Sequence, residues 1–439
     1  MLIDQETLRD LEIFRTRRGE PGIFQVLDMT RTQGGRRALR ARFENPMSDP
    51  KLIRHVQEGV EFLAEEEIGF NLNPNLIRDV RVYLDSSWDV ASRARGLRFV
   101  VEAGFGPLGH RDLFQHARRG VSATQEMISQ IRPFLKGLED RNPPSEVKRP
   151  VENLLALIDR LRLGKIWVSR WPWALARADR YLRVERKADF QRFFNLLSEL
   201  DALIAMASAL KTRGLVIPDI IESSEFCLEG EDIVHPFLSD PVGNPVKLGR
   251  GESLVFLTGP NMAGKTTYLK AVAVATYLAH LGMGVPARTF RFVPRDAIYS
   301  SLRPEESLKE GLSFFMAEVR RVRRIAEAVA GGERALVLFD EVFRGTNVKD
   351  ALDASLLVIR GFSGFQHSGF FFSSHLVELA EALAQEHSVR FSCFEGEFRG
   401  GKAWYDFKIR DGVSDQRLGL RLLEQEGVAR ILDPEIPPE

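Results

Sequence analysis

Cysteine is scarce in this sequence, which has only Cys227 and Cys393 among its 439 residues. Two cysteines cannot form the disulfide framework of a small secreted protein, and their scarcity suits a reducing cytosol. The N-terminal stretch MLIDQETLRDLEIF is acidic and has no apolar core, so it lacks the features of a signal peptide. From these absences we expect a cytoplasmic protein.

Long apolar runs are also missing. The longest, about residues 271–287, contains His280, two glycines and a proline, so it is too short and too interrupted to span a bilayer. We therefore expect no membrane partner. Apolar residues make up 44% and charged residues 28% of the chain, which excludes a mostly disordered protein. At about 150 residues per domain, the length predicts two or three domains.

Net charge is absent as well, because 61 Lys and Arg balance 61 Asp and Glu. The two halves differ, however: residues 1–215 hold 36 basic against 29 acidic residues, a balance of +7, and the remainder carries −7. The first half could therefore face a polyanion such as nucleic acid. Solvated helix faces explain so small an asymmetry equally well.

The hydrophobic pattern changes near Pro218. Before it, apolar residues recur at helical spacing, as between residues 51 and 67 and between 190 and 210. After it, short apolar runs alternate with helical runs, which is typical of a parallel α/β domain. We predict an α/β protein in which an all-helical domain, residues 1–215, precedes a domain with a mostly parallel sheet, residues 216–439.

Five strands are predicted in the second domain. The strands are Ser253–Thr258, Ala335–Phe339, Gly369–Ser374, Val389–Phe394 and Ala403–Ile409, and helical patterns lie between them, for example Met316–Ala330 and Val348–Arg360. The first three strands are continuous apolar runs, as expected for strands covered on both faces. The last two are predicted to form a hairpin around residues 399–402.

A glycine-rich loop carries the clearest chemical signal. Residues 259–266, GPNMAGKT, match G-x-x-x-x-G-K-[ST] at every fixed position, between an apolar strand and an apolar helix. Such a loop curls so that its N–H groups face phosphate oxygens, and the following helix adds its positive end. Lys265 would supply a charge for the β- and γ-phosphates and Thr266 a hydroxyl for Mg²⁺. The predicted nucleotide-binding residues are Gly259, Pro260, Asn261, Met262, Ala263, Gly264, Lys265, Thr266 and Thr267.

Polar residues also follow two other predicted strands. Asp340 and Glu341 end one of them, where Asp340 can hold Mg²⁺ through water and Glu341 can polarise an attacking water. Ser373, Ser374 and His375 end another. Because ligands of open parallel sheets sit at the carboxyl ends of the strands, His375 is predicted to sense or orient the γ-phosphate.

Together these motifs resemble the MutS family of DNA mismatch-repair ATPases. The segment TGPNMAGKTTYLKAVAVATYLAHLGMGVPA resembles the phosphate loop and following helix of that family, and SLKEGLSFFMAEV its signature segment. LVLFDEVFRGTNVKDAL, FFFSSHLVEL and DGVSDQRLGLRLLEQEGV resemble its acidic strand, sensor strand and C-terminal block. LIDQETLRDLEIF is similar to the start of its core domain and SELDALIAMASAL to the helix that returns into its ATPase domain, whereas about residues 75–190 match no motif.

The resemblance implies an ABC-type P-loop ATPase that uses ATP and Mg²⁺. It implies catalytic roles for Glu341, His375, Lys265 and Ser313, metal ligands at Thr266 and Asp340, and a core and lever role for residues 1–215. It also implies a homodimer with composite sites, in which Ser313 of one subunit caps the γ-phosphate held by Lys265 of the other. The chain begins at the core domain, so we expect it to lack the mismatch-reading N-terminal domain of the family.

Several motif positions depart from the family pattern. Ala263 replaces a glycine, Thr266 replaces a serine with the same hydroxyl chemistry, and Phe343 stands where the family has glycine. Asn347-Val348 replaces Ser-Thr, so communication across the dimer is expected to differ. Pro241 occupies the place of the aromatic residue that stacks on adenine, which leaves base selectivity open.

Two functions remain open from the sequence. The resemblance favours an ATP-dependent DNA-binding protein that acts as a dimeric clamp in DNA repair or recombination. Such a clamp would also bind other repair proteins. Its arginines would contact backbone phosphates; the candidates are Arg36, Arg37, Arg40, Arg118 and Arg119. The alternative is a nucleotide-switched protein scaffold without direct DNA recognition. A long-armed chromosome-type ATPase is disfavoured because no extended heptad stretch exists.

Overall fold

The computed structural model describes residues 1–15, 19–86, 111–161, 172–249, 251–302, 314–399 and 402–414. The chain forms two compact units. One, the sheet unit, comprises residues 1–27, 45–54 and 212–439; the other, the helical unit, comprises residues 28–44 and 55–211.

Helices dominate the first half of the chain. They are α1 (Gln5–Asp10), α2 (Ile23–Leu27), α3 (Gln33–Glu44), α4 (Pro50–Glu65), α5 (Pro74–Asp85), α6 (Arg111–Glu139), α7 (Ser145–Leu161), α8 (Pro172–Arg180), a π-helical turn (Tyr181–Glu185) and α9 (Lys187–Thr212). All regular secondary structure in the described part of the helical unit is helical. The lever role predicted for this half stays a prediction.

Helix α9 forms the core of the helical unit. Phe190, Phe193 and Leu197 recur at helical spacing and are buried. Further along the helix, the buried carboxylate of Asp201 accepts hydrogen bonds from the backbone N–H groups of Arg31 and Thr32, at 3.1 and 2.9 Å. This carboxylate therefore fixes the start of α3 against α9.

Helix α9 is also the one described helix that is long and apolar enough to cross a membrane by length and composition. Because 67% of its most apolar stretch is buried inside the protein, it resembles the core helices that pass the same test. The longest apolar run of the sequence, residues 271–287, lies outside α9.

The sheet unit contains thirteen described strands and, besides α1 and α2, four further described helices. The strands are β1 (Leu2–Ile3), β2 (Asp219–Ile220), β3 (Cys227–Ile233), β4 (Asn244–Gly249), β5 (Leu254–Thr258), β6 (Thr289–Phe292), β7 (Ala297–Ser301), β8 (Ala335–Asp340), β9 (Gly369–Ser373), β10 (Val389–Phe394), β11 (Glu397–Arg399), β12 (Lys402–Trp404) and β13 (Ile409–Asp411). The helices are α10 (Lys265–Ala279), α11 (Phe314–Ala330), α12 (Val348–Ser363) and α13 (Glu378–Leu383).

A seven-stranded sheet, ordered β1-β7-β8-β9-β5-β10-β13, organises this unit. Every neighbouring pair is parallel except β10 and β13, which confirms the predicted mostly parallel sheet. Strands β5, β8 and β9 are buried along their whole length, which explains their continuous apolar sequences. Their carboxyl ends lie at one edge of the sheet, where the predicted site residues follow them.

The predicted strand Ala403–Ile409 and its hairpin with Val389–Phe394 are wrong. Strand β12 ends at Trp404 and β13 begins at Ile409; the short hairpin joins β11 to β12, and β13 pairs with β10. The chain leaves the extended conformation between them because Phe407 adopts a left-handed φ of 56°. The side chain of Asn244 holds this turn by bonding the Phe407 carbonyl and the Ile409 N–H, both at 2.8 Å.

A second sheet, ordered β2-β6-β3-β4, was not predicted. Its strands alternate exposed polar and buried apolar residues over short lengths, as in β6, whose burial alternates residue by residue. Such short alternations give a weaker sequence signal than the buried runs of the main sheet.

The N-terminal residues differ from the prediction that residues 1–215 form one domain. Strand β1 pairs with β7 in the main sheet, and residues 1–27 and 45–54 belong to the sheet unit. The buried carboxylate of Asp10 accepts hydrogen bonds from the Ser300 hydroxyl at 2.8 Å and the Leu302 N–H at 3.0 Å. These bonds tie α1 to the end of β7.

Candidate active site

The glycine-rich loop connects β5 to α10. Gly259 has a φ of 135°, and a Cβ there would lie 2.5 Å from the Phe394 carbonyl oxygen. Gly264 precedes the first helical residue with a φ of 106°. Both positions therefore require glycine, and the N-terminus of α10 opens toward the cleft beside the loop.

Lys265 is buried and folds back over the loop. Its Nζ donates to the carbonyl oxygens of Gly259 at 2.7 Å and Pro260 at 3.2 Å, and lies 3.6 Å from Glu341 Oε1. Burial lowers the pKa of this ammonium group, against the opposing influence of Asp340. A phosphate group would give this charge a better partner than the loop carbonyls.

Thr266 and Asp340 meet across the same edge. The Thr266 hydroxyl donates to Asp340 Oδ2 at 2.6 Å. The other oxygen, Asp340 Oδ1, is buried and has no hydrogen-bond partner. A hydroxyl beside a carboxylate with a spare oxygen fits Mg²⁺, which takes oxygen ligands and shares them with phosphates and water.

Glu341 lies at the centre of the cluster. Its carboxylate pairs with Arg344 and has His375 Nδ1 at 3.7 Å. Its backbone has a left-handed φ of 50°, held by a hydrogen bond of 2.9 Å from its N–H to the Ser373 carbonyl. A non-glycine residue in this conformation is strained and persists where surrounding contacts fix it.

His375 follows β9, as the sequence predicts. Its side chain is 58% exposed, and desolvation, together with the charges of Arg344 and Lys265, lowers its pKa. The imidazole is therefore neutral near pH 7 and can both donate and accept a hydrogen bond.

A glutamate that contacts the loop after Glu341 is a functional candidate that sequence reasoning missed. Glu318 of α11 is buried and accepts hydrogen bonds from the backbone N–H groups of Phe343 and Gly345. Burial raises the pKa of Glu318 to about 7, and its Oε2 has no partner. An acid in the middle of a helix gives no sequence signal for such a contact.

The backbone of Phe343 adopts a conformation that glycine takes more easily than other residues do. Its φ is 69°, in the left-handed region, which costs a non-glycine residue about 1 kcal/mol or more. Its ring is buried and lies 5.9 Å from the ring of Phe315 of α11. Packing on α11 therefore offsets the backbone strain in this chain.

A cleft of about 480 Å³ extends from the loop toward β3 and β4. Its apolar lining includes Leu238, Val242, Phe394 and Phe407, whereas Pro241 does not line it. Phe407 lies against the loop, since a Cβ on Gly264 would be 3.4 Å from its ring. Sequence reasoning missed Phe407 because it fell inside a predicted strand.

The structure brings most predicted site residues together. Pro260, Asn261, Met262, Gly264, Lys265, Thr266, Thr267 and Glu341 line the cleft, while Gly259 and Ala263 form the buried back of the loop. Ser313 and most of the C-terminal block lie outside the described residues.

The five predicted DNA-contacting arginines have different surroundings. Arg36 pairs with Asp28 at 3.0 Å, and Arg40 pairs with Glu44 at 2.8 Å. Arg37 lines a different cleft, in the helical unit. The other two, Arg118 and Arg119, are exposed on α6.

A parallel sheet with a glycine-rich loop between a buried strand and a helix defines a nucleotide-binding domain of the P-loop class. Family models for MutS domain III and MutS domain V match residues 6–164 and 255–432 of this chain. The chain therefore belongs to the MutS family, and it carries the ATPase domain of that family, domain V. The domain III match also covers residues 75–164, where the sequence offered no recognisable motif.

Proposed function

We propose that this protein is an ATP-dependent DNA-binding protein of MutS type, in which ATP binding and hydrolysis drive a dimeric clamp in DNA repair or recombination. The convergence of Lys265, the Thr266–Asp340 pair and Glu341 at one cleft carries the ATPase part. Family membership supports the DNA-binding part, because MutS proteins bind DNA and form dimers. Cytoplasmic localisation belongs to the same proposal.

The residues of the cleft have distinct roles in this proposal. Lys265 leaves the loop carbonyls and binds the β- and γ-phosphates, while the loop N–H groups and the α10 N-terminus bind phosphate oxygens. Glu341 accepts the proton of the attacking water, and neutral His375 orients that water or the γ-phosphate. Thr266 and Asp340 would hold Mg²⁺, which when bound neutralises charge on the phosphates.

We further propose that Phe407 supplies the surface on which the base packs, because its exposed ring lines the cleft. Phe407→Ala is expected to weaken ATP binding by about 5- to 100-fold, the range for losing one base–aromatic stack. Phe407→Tyr, which keeps the ring, is the control. Calorimetric titration of both variants measures the effect, and equal affinities of wild type and Phe407→Ala would remove the residue from this role.

The clamp is tested by mass measurement of the whole chain with and without ATP and a panel of duplex, branched and single-stranded DNA. We expect a dimer that ATP stabilises and a DNA complex that weakens steeply with salt. Ser313→Ala is expected to weaken the ATP-bound dimer, because its hydroxyl would cap the γ-phosphate of the other subunit. Unchanged turnover and dimer affinity in this variant would contradict the trans role.

The scaffold alternative predicts a different outcome. DNA affinity would then be undetectable or insensitive to salt, while ATP would still change the mass of the assembly. The small net charge favours this alternative. Nuclease-resistant, nucleotide-dependent capture of a protein partner would support it over the clamp.

A further inference from the structure

The helical unit contains a cleft of about 800 Å³ that the ATPase chemistry does not use. It lies between the start of α3, the outer face of α5 and the middle of α9. Four of its lining residues are arginines, contributed by α5 and by the segment around the start of α3: Arg31, Arg37, Arg78 and Arg81. One acid, Asp85, lines the same cleft.

Most of this positive charge is available to a ligand. Arg31 and Arg37 have no ion-pair partner in the described part of the chain. Arg78 pairs with its exposed neighbour Asp79 at 3.2 Å, and Arg81 lies 3.8 Å from Asp85. Exposed pairs of this kind contribute little to stability, so an anion can displace them at low cost.

The cationic groups of the cleft favour a phosphate ligand. The residues at the start of α3, Thr32, Gln33 and Gly34, line the cleft in a turn beside Arg31 and Arg37. Asp201 fixes this turn from α9 and does not line the cleft, so it does not compete for the arginines. All four cations are guanidinium groups, which bind phosphate oxygens in pairs.

Apolar side chains also line the cleft. Ile77 and Leu197 are buried, Val82 is exposed, and Phe194 lies beneath the guanidinium of Arg81, whose carbon is 5.7 Å from the ring centroid. Arginines beside apolar surface suit a chain of sugars and phosphates better than a free inorganic ion, because the sugar or base can cover that surface.

We propose that this arginine cleft binds the phosphodiester backbone of a nucleic acid strand. The inference rests on the proposed DNA-binding function and gives that function a location in the helical unit. Contacts of guanidinium groups with phosphates are independent of base sequence and strongly dependent on salt.

The arginines near α3 provide a matched experiment. Arg31→Gln/Arg37→Gln removes two cleft charges, while Arg36→Gln/Arg40→Gln removes two charges that pair with Asp28 and Glu44 outside the cleft. We expect the first variant to lower the slope of log affinity against log salt by about 1.4 to 1.8, the value for two lost phosphate contacts. The second is expected to leave the slope within about 0.5 of wild type.

Fluorescence anisotropy with labelled DNA and RNA of the same length measures these slopes and separates the two sources of phosphodiester. An oligonucleotide with an uncharged methylphosphonate backbone is expected to lose binding. Because the substituted arginines are exposed, thermal melting of both variants should match wild type.

If the wild-type protein binds nucleic acid and the two double variants show equal slopes of log affinity against log salt, the proposed role of the arginine cleft is wrong. The proposed function would then still stand. Nucleic acid binding that does not change with ATP but weakens when Arg31 and Arg37 are substituted would support the proposed cleft. It would contradict the ATP-driven clamp. Absence of binding to any nucleic acid by the wild-type protein would overturn both proposals.

Discussion

Replacing Lys265 by methionine is expected to weaken ATP binding by about 30-fold or more. Removing one member of a buried charged pair costs about 2 kcal/mol or more, and each 1.4 kcal/mol is tenfold in affinity. Methionine keeps the length of the stem, so the loop retains its packing. Isothermal calorimetry of the whole chain with ATP and magnesium measures the change.

The fold itself should tolerate this substitution. Burial lowers the pKa of Lys265, so its charge is costly in the free protein. Because Glu341 keeps Arg344 as a partner after the substitution, the melting temperature should stay within a few degrees of wild type. Lys270→Met is the control, because Lys270 lies on the same helix and pairs with Glu12 at 2.9 Å instead of lining the cleft. Wild-type ATP affinity in Lys265→Met would contradict the whole assignment of the loop.

Glu341→Gln is expected to bind ATP and hydrolyse it about 10²- to 10⁴-fold more slowly, the usual contribution of a general base. Glutamine keeps the shape of the side chain and can still contact Arg344 and His375. It cannot accept the proton of the attacking water. Single-turnover hydrolysis and a parallel ATP titration separate the chemical step from binding.

Glu381→Gln is a suitable comparison, because Glu381 is an exposed glutamate on α13 that does not line the cleft. It should hydrolyse ATP at the wild-type rate. If Glu341→Gln also did so, Glu341 would have no part in activating water. If it failed to bind ATP, its interactions with Lys265 and Arg344 would be structural instead.

The arrangement of the phosphate loop and of the residues around it was predictable from the sequence because its parts are local. The glycine-rich loop, Lys265 and Thr266 lie between one strand and one helix, and eight consecutive residues specify them. Glu341 and His375 follow buried strands, so the rule that parallel strands end at one edge brought them to the same place. Glu341 lies 3.6 Å from Lys265 and 3.7 Å from His375, in agreement with that rule.

Residues that depend on distant partners escaped sequence reasoning. Glu318 is recognisable only through the backbone of Phe343 and Gly345, which belongs to another element. Phe407 reached the cleft because Asn244 holds a left-handed turn where the hydrophobic pattern predicted a continuous strand. Local pattern cannot report such contacts, since each is made by residues far apart in the chain.

By itself, the sequence determined the parallel sheet, the phosphate loop and the family of this protein, because buried strands and phosphate-binding loops impose their requirements on neighbouring residues. Only the tertiary structure decided that residues 1–27 join the sheet unit and that Arg37, unlike Arg36 and Arg40, faces an open cleft. Charge on a helix face has the same sequence pattern whether it meets solvent, a carboxylate or a ligand. Its surroundings, which folding assembles from remote segments, decide between them.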